Sequence, residues 1–278
     1  MVFVGLPKQQ WAANQWRSRG LPPHVSAYLA GLRGDPRRVA ARLFNMADAD
    51  AHHTAVLVCP DMVRLDNIAF DALPDVLEAI FDGRIPDCDR TNLTGRHLFI
   101  CTHGVRDKCC AKFGFGAVRS IRRTLEADQH LADTHAVWET SHLVGDRFAG
   151  TGIVYPEGRM FGRLDEESAD GWLRAISKGE IDFTKYRGSV FLPPKHQVVE
   201  AELLRHLWTI GDFDRLRIMD TNREDMIRFE VLQEKSRERT GFAMLRPRTF
   251  RVQATCKQVD DGVYGDKTTW WVEQIHWD

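Results

Sequence analysis

No stretch of the chain approaches the roughly 20 consecutive apolar residues a helix needs to cross a bilayer. The opening residues MVFVGLPKQQWAANQW lack the basic start and continuous apolar run of a secretory signal, so a cytoplasmic protein is expected. Neither sign of charge dominates. Lys+Arg number 38 against 39 Asp+Glu, which removes the broad basic surface of a polyanion binder; no nucleic-acid partner and no membrane partner are expected. A local basic cluster, Arg119, Arg122 and Arg123, reads as a solvated helix face. There is no low-complexity segment, and the C-x-x-C spacing of dithiol redox proteins is missing. Cysteine is sparse, with six in 278 residues, and a reducing compartment does not support a disulfide framework. Three of the six fall within ten residues, and a local cluster of that kind points to metal or redox chemistry.

What is present is the composition of a folded globular chain, 43% hydrophobic and 28% charged, long enough for two or three units. Residues 1 to about 50 read as helical, with apolar spacing in VSAYLAGL and RRVAARLF around the breaker Gly34-Asp35-Pro36. TAVLVCPD is a β-branched run and LPDVLEAIFDG a helix closed by glycine, which together begin an α/β unit. After the loop PDCDRTNLTG the pattern sharpens. HLFICTHG is a strand; a helix follows over about 110–127, where Val118, Ile121 and Leu125 recur at steps of three and four; THAVWETS, GIVYPEG and RMFGRLD are short strands; ESADGWLRAISKGE is a helix. This β-α-β-β-β-α order fits a thioredoxin-like sheet with one parallel and one antiparallel edge. A helix over roughly 196–209 and the segments LRIMD, IRFEVLQ, FRVQATCK and TTWWVEQIHW complete a small α+β unit. The expected division is residues 1–93, 94–186 and 187–278, the first an N-terminal helical and α/β unit that reads as a candidate degenerate duplicate of the second.

Cys101 closes a strand, and Cys109 and Cys110 open the helix that follows, so all three converge on one strand-to-helix loop. Unpaired N–H groups and the positive dipole end at a helix start favour thiolates there. Adjacent helical residues point about 100° apart, so only one of the pair faces such a site; Cys110 is the choice, with Cys109 the alternative ligand. His142 and Asp146 in SHLVGDRF are four apart and meet if the backbone turns helically; imidazole and carboxylate are both metal donors, the carboxylate the harder and rarer one on iron–sulfur groups. For Asp146 an ion pair with Arg147 is an equal reading. His103 is a lower-ranked candidate, Arg106 and Asp107 read as a pair that fixes the loop, and Phe113-Gly-Phe-Gly lies too far into the helix to cradle a nucleotide. Cys59, Cys88 and Cys256 read as buried or incidental thiols.

From His97 to about Arg205 the chain resembles the sucrase/ferredoxin-like family, a branch of the thioredoxin-like ferredoxins. The carriers are CTHGVRDKCC, VWETSHLVGDRFAG, YPEGRMFGRL and YRGSVFLPPKHQVVEAELLR, in the family's order. The resemblance implies a 2Fe-2S cluster with Cys101 and Cys110 as ligands, and the family's first histidine ligand falls on His142. Asp146 stands where the second histidine is usual, and Val144 where glycine is usual. Two imidazoles on one iron raise the potential from about −400 mV toward about −150 to +300 mV, so a carboxylate at position 146 is expected to lower it again. The expected fold is α/β, a thioredoxin-like ferredoxin domain flanked by the N-terminal α/β unit and the small C-terminal α+β unit. The expected function is one-electron transfer, with an unidentified reductase as donor and an unidentified electron acceptor, and with no carboxylate pair legible for sugar hydrolysis. The alternatives are a thioredoxin-like thiol redox protein without a cluster, and a zinc or structural-site binding protein.

Overall fold

The computed structural model describes residues 1–37, 39–48, 50–143, 145–210, 215–233 and 236–278, without the side chains at 146, 208–210, 233 and 236–238. Met1–Glu157 with Gly162–Glu180 form one compact unit, and Gly158–Phe161 with Ile181–Asp278 form a second.

In the first unit, β1 (Val2–Leu6), α1 (Pro23–Gly31), β2 (Ala41–Asn45), β3 (His53–Val58) and β4 (Val63–Ala69) precede α2 (Leu73–Phe81) and β5 (Arg90–Asn92). Then come β6 (Arg96–Cys101), α3 (Phe115–Ala127), α4 (Gln129–Thr134), β7 (His135–Thr140), β8 (Gly152–Tyr155) and α5 (Ala169–Ser177). The strands form a mixed sheet in the order β8-β6-β7-β2-β1-β3-β4-β5. β1 and β2 are parallel, as are β6 and β7; the other neighbours are antiparallel. Thus β1-α1-β2-β3 and β6-α3-β7-β8 carry the same order, a parallel pair joined by a crossover helix with an antiparallel strand on the far side of the leading one. They meet where β2 and β7 touch, and Phe3 of β1 stacks on Phe99 of β6 at 4.0 Å.

The helical reading of residues 1–50 holds for VSAYLAGL, which forms α1 behind a proline at its first position. It fails for the two strands around it. β1 is buried at every residue, and β2 buries both Leu43 and Phe44. A strand covered on both faces shows a continuous apolar run rather than alternation, and five such residues do not distinguish strand from helix by periodicity. α2 ends as expected, Gly83 taking φ +79° and donating to the Ile80 carbonyl. The β6-α3-β7-β8 run has the order expected of a thioredoxin-like ferredoxin domain. α3 buries Ala117, Val118, Ile121 and Thr124, while Arg119 and Arg123 bond to Glu166 outside.

In the second unit, β9 (Arg159–Phe161) and β10 (Tyr186–Ser189) pair antiparallel. α6 (Pro194–Ile210) then leads into a four-stranded antiparallel meander of β11 (Arg215–Asp220), β12 (Met226–Gln233), β13 (Ser236–Val252) and β14 (Gly265–Trp277), with α7 (Cys256–Asp260) between the last two. Val199, Leu203 and Leu207 of α6 close its core over Ile227, Phe229, Val231, Ala243 and Leu245. No described helix is long and apolar enough to cross a membrane.

Candidate metal centre

β6 delivers Cys101 at its last position, fully buried. The chain then loops through THGVRDK and re-enters helix by a device written in the sequence. The Asp107 carboxylate accepts the Cys109 N–H at 2.9 Å, and the Asp107 carbonyl accepts the Cys110 N–H at 3.1 Å, which caps the helix start as aspartate does at such positions. The first turn, Cys110–Gly114, is wider than α-helical and runs directly into α3. Wide turns of this kind are frequent at functional sites. β7, parallel to β6, ends at Thr140, and two residues later the chain presents His142 beside the same loop.

The Cys101 and Cys110 sulfurs and a ring nitrogen of His142 lie within 4.8 Å of one another. Both cysteines are buried and His142 is half-buried. The Cys110 thiol, hydrogen-bonded to Cys101, holds the Cys101 thiol well below the usual thiol range; burial opposes this, and His142 and the N–H groups of His103 and Leu143 assist it. Cys59 shows the opposite behaviour, burial pushing its thiol up to about 12. Thiolates are the metal-binding form of cysteine, and a neutral imidazole supplies a nitrogen donor. The donor chemistry therefore fits a metal group, and these three side chains could hold one.

The backbone around them is closely fitted. A Cβ on Gly114 would stand 2.0 Å from the Cys101 carbonyl oxygen, and a Cβ on Gly150 would stand 2.9 Å from Gly114. Gly104 sits equally close to Ala111, 2.7 Å for the corresponding contact. Phe-Gly-Phe-Gly thus serves packing, since only glycine lets the helix start approach the end of β6. Beneath the loop, buried Glu139 accepts from Lys8 at 2.5 Å, from the Thr102 hydroxyl at 3.0 Å and from Arg122 at 3.1 Å. Burial raises the Glu139 carboxyl, but Lys8, Thr102 and Arg122 outweigh it and hold the group below its ordinary range.

Of the other sequence candidates, Cys109 contributes its N–H to the cap, and its sulfur lies outside the Cys101, Cys110 and His142 group. His103 is buried, held by Nε2 to the Ala12 carbonyl at 2.9 Å and edge-on to Trp11 at 5.6 Å; burial lowers its affinity for a proton. Asp146 begins a short helical turn to Phe148. Its side chain and Val144 lie outside the described residues, as does the expected ligation by Asp146. Arg122 binds Glu139, so it is not part of a purely solvated face. Sequence reasoning missed Lys8 and Trp11, which reach the site from the loop after β1, and Glu139 of β7; for Glu139 the one available signal was a charged residue in the apolar strand THAVWETS.

Several solved structures resemble part of the chain. A thioredoxin-like 2Fe-2S ferredoxin from Aquifex aeolicus is 18% identical, matching 37% of this chain and 97% of its own, with a TM-score of 0.32. A structure of the wild-type thioredoxin-like 2Fe-2S ferredoxin from the same organism, at 1.5 Å, gives 17% identity, 34% and 97% coverage, and a TM-score of 0.31. No curated protein matches the chain. The family model described as sucrase/ferredoxin-like matches residues 1–188, well over half the chain and both halves of the large sheet. The protein belongs to the sucrase/ferredoxin-like family.

Proposed function

We propose that the protein holds a 2Fe-2S cluster on Cys101, Cys110 and His142, with Asp146 as the fourth ligand, and carries single electrons from a reductase to an acceptor in the cytoplasm. The observation that carries this reading is the convergence of two buried thiols and one imidazole within 4.8 Å at a helix start, in a chain of this family. When bound, the cluster would take up and release one electron without breaking any bond in the protein. The chain's own residues do the rest. The His103 and Leu143 N–H groups and the helix start stabilise negative charge on Cys101. Asp107 fixes the loop between the cysteines, and Glu139 ties the residue after Cys101 to the end of β7 through Thr102. A single zinc ion is the second reading, favoured by the compactness of the three donors, which suits one tetrahedral centre.

Anaerobic purification separates the two. The expected product is red-brown, with iron and acid-labile sulfide in equal amounts; Cys101→Ser and Cys110→Ser lose both, and Cys59→Ser keeps both. A colourless protein containing zinc would overturn the cluster reading.

A further inference from the structure

We propose that the cleft beside the metal centre docks the acidic face of a protein redox partner, an inference that rests on the electron-carrier reading above. The cleft, of about 460 Å³, opens between the loop after β1 and the loop after β6, and its lining includes Lys8, Trp11, His103, Val105, Lys112 and Phe115. Thr102 and His103 directly follow Cys101, and Ala111, also in the lining, directly follows Cys110. A partner seated here lies against the backbone that carries both cysteines, so the electron has a short covalent route to the surface.

Two apolar side chains stand out at the rim, Val105 at 63% and Phe115 at 46% exposure. In a segment otherwise folded onto buried glycine and cysteine, they have the character of a contact patch. Within residues 102–115 the exposed charges are of one sign. Arg106 and Lys112 are exposed, and the Lys8 ammonium lies 5.2 Å from the centre of the Phe115 ring. From Thr102 to Phe115 the sole acidic residue is Asp107, which is buried and capping the helix. Glu139, also buried, meets both Lys8 and Arg122. An apolar centre ringed by cations selects a partner with an apolar centre ringed by carboxylates, and such charge complementarity sets encounter rate more than affinity. The cations are spread along the rim rather than convergent on one point, which suits a protein face. In the exchange one electron leaves the reduced cluster and enters the acceptor, with no proton or bond moved.

Two measurements test this. Lysine acetylation of the purified protein, read by mass spectrometry, is run with and without a glutamate-rich, leucine-containing peptide. Labelling of Lys112 is expected to slow, and labelling of Lys178, exposed on a different cleft at the start of β7, to stay the same; high salt abolishes the protection. Stopped-flow oxidation of the reduced protein by ferricyanide is expected to slow about tenfold in R106E/K112E and to change less than about twofold in K178E, while oxidation by the cation hexaamminecobalt(III) accelerates in the double variant. Equal protection of Lys112 and Lys178, or equal rate changes in both variants, in a protein that contains iron and sulfide overturns this inference alone. A protein without iron and sulfide overturns the carrier reading and this inference together.

Discussion

Cys59 and Cys101 are equally hidden from solvent, yet their surroundings push their thiols in opposite directions. Burial alone keeps a thiol protonated; donors aimed at sulfur favour the thiolate, the form that binds metals. Glu139 shows the same contest for a carboxylate. Because its folded-state affinity for protons is depressed, it contributes stability that is fully present above the unfolded carboxylate range, near pH 4.3, and is lost as pH falls from there through its lower folded value. Glu139→Gln is expected to destabilise the protein by roughly 1–3 kcal/mol at neutral pH, because Lys8 and Arg122 lose their shared counter-charge, and to flatten the acid limb of stability against pH. Urea unfolding between pH 3 and 7 would read both; parallel acid limbs in variant and wild type would remove Glu139 from this role. For the cluster proposed above, with Asp146 as its fourth ligand, Asp146→His is expected to raise the potential found by redox titration, since imidazole in place of carboxylate removes negative charge from the iron. The convergence of Cys101, Cys110 and His142 was legible because cysteine spacing and a histidine after a strand are local patterns. Glu139 was not, because its partners lie at positions 8, 102 and 122, and one sequence carries no signal that joins them.

Among elements, β6 and the wide turn into α3 matter most. Gly114→Ala would place a methyl group 2.0 Å from the Cys101 carbonyl, so the turn must retreat from the strand. The expected result is a loss of about 1–3 kcal/mol, the range for overpacking a tight site, and reduced iron content at equal protein concentration. Full iron occupancy with unchanged stability would show that the approach is not required. The sequence revealed this junction well, since a strand run, a loop and a 3.6-residue period stand in order. It hid β1 and β2. In β2, Leu43 and Phe44 are consecutive buried residues of a strand covered on both sides, and such a run is compatible with either periodicity.

At the scale of the molecule, the two units have separate cores, and the family match covers the unit bearing the candidate centre. Phe229 is fully buried in the second core, against Trp277 at 4.9 Å. Phe229→Ala is expected to cost that unit about 3–5 kcal/mol and to leave the iron and sulfide content of the folded protein unchanged. A proportional loss of iron would show that the cores are coupled. The repeated strand order within the large sheet was not legible, because the expected α/β pattern began only at TAVLVCPD while the repeat runs β1-α1-β2-β3; nor could the sequence show that β2 and β7 join the halves, since sheet partners distant in the chain leave no periodic trace. The second half bears Cys101, Cys110 and His142, whereas the loop after β1 carries Trp11 and Lys8 and walls the first half's side of the cleft. The glycine contacts give this arrangement a further property. With Gly114 seated on the Cys101 carbonyl and Gly150 on Gly114, the spacing of strand end and helix start is fixed by backbone against backbone, with no side-chain rotamer to adjust. A site built that way keeps its shape when the charge of whatever it holds changes, so the response to such a change falls on the solvent and not on the fold.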